Sequence, residues 1–215
     1  MEEKIMDVIE ALKGRRSINF FDTERQIDGN IISELLEIAN LSPSSSNLQP
    51  WEIIVVSDQQ RKKVLKECAS NQKKVEEASA VFIVIANPNA IEENIDRVLE
   101  KSVELGYIMK EDVGKYRSGP FKSYGEKDSI KRKIFAVKNT SFFAMSVMIA
   151  ARGLGLETHP MDGFDEDKTK KAFGIPDDRL IPLLIAVGYP RPGLNLLPRA
   201  FRRKLEDFVK YNAYK

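Results

Sequence analysis

Val8, Ile9 and Leu12, preceded by Ile5, fall on one side of a helix that Gly14 ends. The same spacing over 29–41, carried by Ile31, Ile32, Leu35, Leu36 and Ala39, predicts a second helix. The β-branched run "WEIIVVS" from Trp51 predicts a strand, and "DQQRKKVLKECAS" a helix capped by Asp58. "AVFIVIANP" (80–88) is apolar without alternation, which predicts a strand buried on both faces and stopped by proline. Residues 90–127 are polar and irregular, with helical stretches around 91–105 and 109–116, and "SGPFKSYGEKD" (118–128) reads as a mobile loop.

From Ser129 to Arg152 the pattern turns apolar nearly all round in its second half, through Ile134, Phe135, Val137, Phe142, Phe143, Met145, Val147, Met148 and Ile149. That predicts a central helix enclosed by protein. "LGLETHPMDGF" follows as strand and loop, "DEDKTKKAFGI" as helix, and "RLIPLLIAVGYP" as a second buried strand. The tail 191–215 has too few apolar residues for a core of its own and is expected to pack on another surface. Strands and helices intermingle without strict alternation, which predicts an α+β or mixed α/β architecture. A chain of 215 residues fits one domain.

Charge narrows the function classes. Lys and Arg number 34 against 32 Asp and Glu, a net charge of +2. The pI of about 8.5 lies below that of a typical nucleic-acid-binding domain. The one basic cluster, "KDSIKRK" (127–133), is mixed and reads as a solvated helix face. Cys68 is the only cysteine and His159 the only histidine, so an intrachain disulfide is impossible and a zinc or iron–sulfur site is disfavoured. The opening "MEEKIMDVIEALKG" is acidic and amphipathic, unlike a signal peptide. The longest strongly apolar run, 142–151, falls short of the ~20 residues of a membrane span. The expectation is a cytoplasmic protein with neither nucleic acid nor membrane as partner.

Three stretches carry candidate chemistry. "GRRSINFF" (14–21) offers two guanidinium groups and a hydroxyl, suited to a phosphate, although a paired arginine taken alone is more commonly exposed surface. "LSPSSSNLQPW" (41–51) oversupplies small hydrogen-bonding side chains. It reads either as a helix-ending loop or as amides, Asn47 and Gln49, presented to the edge of a planar polar ring. "GLGLETHPMDGF" lacks the third glycine of a dinucleotide loop, since Thr158 stands there, so Gly153 and Gly155 read as a helix end. Gly163 is either a plain turn or a point where backbone approaches a ligand. No hydrolase triad can be assembled around His159, which reads as a structural or pocket-wall residue. If the protein is an enzyme, its chemistry would therefore fall to a bound cofactor.

Taken in order, these segments resemble the nitroreductase family of FMN-dependent oxidoreductases. "RRSINFF" is similar to its R-R-S-x-[RK]-x-F, and "LSPSSSNLQPWEIIVV" to its A-P-S-x-x-N-x-Q-P-W-x-[FI]-[IV]-V. "ARGLGLETHPMDGFD" is similar to its G-L-G-x-x-x-x-P-M-x-G-F, and "IPLLIAVGYP" to its strand ending in G-Y-P. The resemblance runs from about residue 9 to 209. It implies a three-layer α+β fold, with a central mixed or antiparallel sheet flanked by helices and a C-terminal tail packed on the partner subunit. It also implies a single domain over 1–215 with a variable lid at about 90–127 and an extension at 191–215.

The implied protein is a homodimer holding FMN at the subunit interface and using NADH or NADPH to reduce nitroaromatic, quinone or similar planar acceptors by ping-pong hydride transfer. A specialised reductase or reductive dehalogenase on the same scaffold, or a non-catalytic flavin-binding dimer, are the alternatives. Arg15, Arg16 and Ser17 would hold the phosphate and ribityl chain, with Asn19 two positions on. Pro43, Ser44, Ser45, Asn47 and Gln49 would belong to the loop reaching the flavin from the partner, and Asn71 and Lys74 would lie near the pyrimidine edge. Pro160, Met161 and Gly163 would line one side of the ring, and Arg202 or Arg203 would complete the phosphate site. Two departures from the family pattern, Asn19 and Ala200, each remove a positive charge. Lys74 and Asn19 would then have to stabilise negative charge near N1 of the reduced flavin, and the lost positive charge would disfavour the anionic hydroquinone and lower the midpoint potential. Tyr107, Phe121 and Tyr124 are candidates for acceptor stacking or for core packing.

Overall fold

The computed structural model describes residues 7–214, so Ile5 of the first predicted helix lies outside the described residues. Its helices are α1 (Val8–Gly14), α2 (Gly29–Ala39), α3 (Gln59–Cys68), α4 (Lys73–Glu77), α5 (Ala90–Glu104), α6 (Val113–Tyr124), α7 (Ile130–Gly153) and α8 (Glu166–Phe173). Its strands are β1 (Trp51–Val56), β2 (Ala80–Ala86), β3 (Glu157–Met161) and β4 (Leu180–Gly188). Helix starts follow side-chain capping: Asp7, Asp28, Asp58, Ser129 and Asp165 each accept a hydrogen bond from a backbone N–H of the first turn.

The strands form one sheet in the order β1-β2-β4-β3, every neighbouring pair antiparallel. The two central strands are the continuous apolar runs, and their alternate side chains feed separate layers. Val81, Ile83, Ile85, Leu184 and Ala186 join Leu65, Val75 and Ile175 in a cluster beneath α3, α4 and α8. Ala80, Phe82, Val84, Ile185 and Val187 face the other way, onto Leu35 and Ala39 of α2 and Phe143, Val147 and Ala151 of α7. The result is the expected helix–sheet–helix sandwich, with the sheet wholly antiparallel. A third cluster, with Leu48, Ile91, Ile95, Leu99 and Phe135, joins α5 and α6 to the lower half of α7.

Two expectations need correction. Residues 118–124 are helical rather than loop, because α6 continues to Tyr124 with Pro120 buried inside it. Phe121 and Tyr124 anchor that turn in the third cluster, Tyr124 lying 4.3 Å from the Phe135 ring, and this packing offsets the hydrogen bond that proline cannot make. Helix α7 is not enclosed by this chain: Ile130, Ile134, Phe142 and Met145 form an open apolar side. By length and composition α7 is apolar enough to cross a membrane, but its other side packs into the sheet as a core helix. The apolar side of α1 is likewise open, with Val8 62% and Ile9 55% exposed. The tail beyond Pro190 is extended, and Leu197, Phe201, Leu205 and Tyr211 are exposed.

Gly188 closes β4 where two segments crowd it: a Cβ there would sit 2.8 Å from Cδ1 of Phe21 and 3.2 Å from the Ser79 backbone nitrogen. Gly188→Ala is expected to destabilise the fold by about 1–3 kcal/mol through this overpacking. A urea titration should show a lower midpoint at unchanged slope.

Candidate functional site

The chain leaves α1 at Arg15 and runs beside the edge strand β3. Ser17 forms a parallel bridge with Thr158, and the Ile18 N–H donates to the Thr158 carbonyl at 3.1 Å. His159 Nδ1 donates to the Ile18 carbonyl at 3.0 Å. The tail then folds back over this corner. Arg16 Nη2 donates to the Leu197 carbonyl at 3.0 Å, and Arg199 Nη2 donates to the carbonyls of Lys13 and Arg15. Burial and the positive charges of Arg199, Arg202 and Arg16 hold Arg15 below the usual guanidinium range, with Glu157 opposing. Arg15 Nη1 is buried without a hydrogen-bond partner. An arginine-rich corner with an unsatisfied guanidinium nitrogen is built to receive an anion.

Beneath it, Glu157 pairs with Arg152 while its Oε2 has no hydrogen-bond partner. Burial raises the Glu157 pKa against the pull of Arg152 and Arg15. Of the two tail candidates, Arg202 contributes its charge to the corner, whereas Arg203 lies over the Phe208 ring at 5.3 Å. Arg199 was absent from the sequence-based set. Its signal was available only as one of several arginines in the tail, because the fold-back onto α1 decides among them.

At the far end of β3, Gln72 Nε2 donates to the Gly163 carbonyl at 2.9 Å, and Lys74 Nζ donates to Gln72 Oε1 at 2.8 Å. Gln72, which the sequence reading passed over between Asn71 and Lys74, therefore ties that segment to the 160–163 turn. Asn71 stands exposed in a left-handed conformation, with φ 57°. Burial lowers the Lys74 pKa. The Met161 side chain is 3% exposed within the α3/α8 core, so only its backbone can face a ligand beside Pro160 and Gly163. Asn19 and Ser17 are exposed near the arginines in sequence.

Residues 43–49 lie elsewhere. Ser44 Oγ accepts from the Gln49 N–H at 2.9 Å, the Ser45 N–H donates to Asn139 Oδ1 at 2.9 Å, and Gln49 Nε2 donates to Asn47 Oδ1 at 3.1 Å. Ser46, Asn47 and Gln49 hold φ of 55°, 52° and 46°, left-handed conformations interrupted by Leu48 at −78°. Buried Leu48 anchors the loop, and Trp51 stacks on Phe143 at 5.2 Å while its Nε1 donates to Asn40 Oδ1. Pro43 is exposed. Trp51 opens β1 opposite Ala86, while Thr158 pairs with Val187 on the other edge and at the other end. Strand geometry separates these diagonal corners by more than about 20 Å.

A family model described as the Nitroreductase family matches residues 12–189. The chain belongs to the nitroreductase family. Among its relatives, the Bacillus subtilis protein named "Putative NAD(P)H nitroreductase YdgI" is 33% identical over 189 residues, covering 86% of this chain and 89% of that one. The protein of Thermus thermophilus named NADH dehydrogenase is 31% identical over 188 residues, covering 86% and 88%. Among solved structures, the "putative nitroreductase in complex with FMN" from Exiguobacterium sibiricum superimposes with a TM-score of 0.85 at 28% identity, covering 96% of this chain and 97% of that one.

In this nitroreductase-family chain the lone histidine is held neutral. Burial, then the charge of Lys74, pushes the His159 pKa from 6.5 down to about 4 against the Ile18 hydrogen bond. The Ile18 carbonyl can only accept, so the proton resides on Nδ1. An unfolded chain takes up a proton near pH 6.5 and the folded one only near 4, so stability present above 6.5 is lost as the pH falls through that window. Melting curves should show this slope, and His159→Gln should flatten it; an unchanged slope assigns the loss to other groups.

Proposed function

We propose that the protein is a homodimeric, FMN-dependent oxidoreductase of the cytoplasm that uses NADH or NADPH to reduce nitroaromatic, quinone or similar planar acceptors in a ping-pong cycle. The observation that carries this reading is the arginine corner with its unpartnered Arg15 Nη1, which fits the FMN phosphate. FMN held there would supply the redox chemistry, hydride exchange between the nicotinamide and the acceptor.

The chain's own residues bind, orient and shield. Arg15, Arg16, Arg199 and Arg202 receive the phosphate, and Ser17 the ribityl chain. Lys74, already linked through Gln72 to Gly163, places positive charge toward the pyrimidine edge beside Asn71 and Asn19. Backbone at Pro160–Gly163 forms one wall. His159, neutral near pH 7, adds no charge there and serves as a fixed link between β3 and the α1 exit.

Pro43, Ser44, Ser45, Asn47 and Gln49 come from a second copy, since one copy holds them diagonally across its sheet from the arginines. The open apolar sides of α1 and α7 and the exposed Phe201, Leu205 and Phe208 of the tail supply surface for that association. The whole chain works as one domain, with 90–127 as the variable segment beside the acceptor and 191–215 as an extension laid on the second copy. Within that segment Phe121 and Tyr124 are committed to the core, leaving Tyr107, 80% exposed, for stacking on an acceptor.

Purified protein, after FMN addition and desalting, should retain a flavin band at about 450 nm and oxidise NADH or NADPH in the presence of a quinone. Arg15→Met should weaken FMN binding by more than about tenfold, the scale of a lost charge-assisted contact. Asn47→Leu should also weaken FMN retention while leaving far-ultraviolet circular dichroism unchanged. Absence of the band in the parent protein rejects the assignment, and unaltered affinity in Asn47→Leu returns that loop to a plain structural role.

A further inference from the structure

A cavity of about 590 Å³ opens between the 47–51 segment and helix α5. Leu48, Trp51, Val98, Leu105 and Tyr107 give it apolar and aromatic walls, and Arg97 and Lys101 line it one helical turn apart. Among the described residues no acidic side chain lines it. Lys101 is held by Glu104 at 2.5 Å, which offsets part of its charge. Asp96, the acid next to Arg97 in sequence, is taken by Arg117 at 2.8 Å. Arg97 makes no ion pair among the described residues.

The amides on the rim are partly spent in ways that leave donors over. Asn40 accepts from Trp51 Nε1 through its Oδ1, and Asn47 accepts from Gln49 through its Oδ1, so the NH₂ group of each remains to donate. Asn94 uses its own NH₂ on the Leu48 carbonyl and so locks the floor. Trp51 cannot turn away, since it stacks on Phe143 and is hydrogen-bonded to Asn40. Asn47 and Gln49, both left-handed, lie on the same rim.

We infer that this cavity is an anion subsite of the acceptor–donor slot, with Arg97 as its specificity-determining residue: it takes the phosphate, carboxylate or sulfonate carried by a planar aromatic molecule. The inference rests on the proposed flavin site, because it is the 47–49 loop that brings the cavity to a second copy's cofactor. Two sources share this chemistry, the 2′-phosphate of NADPH and an acidic group on the acceptor. An anion there gains a charge-assisted contact in a partly water-excluded pocket, whereas a neutral analogue gains only the apolar walls.

The test compares kcat/KM of the FMN-loaded protein for 1,4-naphthoquinone-2-sulfonate against 1,4-naphthoquinone, with NADH as donor, and separately for NADPH against NADH. Arg97→Gln should lower one of these anion-to-neutral ratios by about tenfold, and Arg97→Glu should lower it further. A fall in the sulfonate ratio places the anion on the acceptor, and a fall in the NADPH ratio places it on the donor. Lys63→Gln, on α3 in the opposite layer, removes the same unit charge and controls for diffuse attraction. Both ratios staying within twofold in Arg97→Gln, or falling equally in Lys63→Gln, overturns the inference. A parent protein without the flavin band fails the earlier proposal instead, so the two failures read differently. As a measurement independent of turnover, naphthalene-2-sulfonate should perturb the flavin spectrum of the parent protein with a dissociation constant that rises in Arg97→Glu; an equal constant in both also overturns it.

Discussion

The hydrogen bond from the Ile18 N–H to the Thr158 carbonyl joins the α1 exit to the sheet, and the arginine corner depends on it. With the Ser17–Thr158 bridge and the His159–Ile18 bond beside it, the edge of β3 is covered by chain rather than left open. That coverage fixes where Arg15 and Arg16 emerge, and the tail can then dock on carbonyls of the same turn through Arg199. The arginines repel one another, and Glu157 with Arg152 beneath them offsets that repulsion only in part. The corner is thus a folded region that gathers like charges without full compensation.

The buried strands were legible because a strand covered on both faces has to be apolar at every position, as 80–86 and the later part of 180–188 are. Asp58 and Ser129 were legible as helix starts because their chemistry is local. The second half of α6, residues 118–124, was illegible for the converse reason. Gly119 and Pro120 argue against a helix locally, and only the long-range packing of Phe121 and Tyr124 onto the α5–α7 cluster decides otherwise. The open side of α7 was also hidden, since an apolar residue facing solvent and one facing a core read identically in sequence.

The candidate site was legible in its residue types and less so in its supports. Arg15, Arg16 and Lys74 announce charge, and the 43–49 loop announces itself by an excess of small polar side chains. Gln72 and Arg199 do not, because each matters through backbone carbonyls that only the folded chain brings near. Met161 shows the reverse: its motif pointed to the ligand, and its side chain went to the core. The ordinary helix α5 carries the basic pair nearest the 47–51 segment, and nothing in its local pattern separates Arg97 from a solvated surface arginine.

The diagonal placement of the arginine corner and the 43–49 loop has a genetic consequence under the proposed pairing. If each site takes its arginines from one copy and its 43–49 loop from the other, a cell expressing two differently damaged alleles assembles mixed pairs. A pair combining a chain damaged at Arg15 with one damaged at Asn47 concentrates both lesions in a single site and leaves the second intact. Two inactive alleles can therefore restore function to each other, while two lesions in the same half cannot. Selection on such a protein acts on the pair rather than on the individual chain.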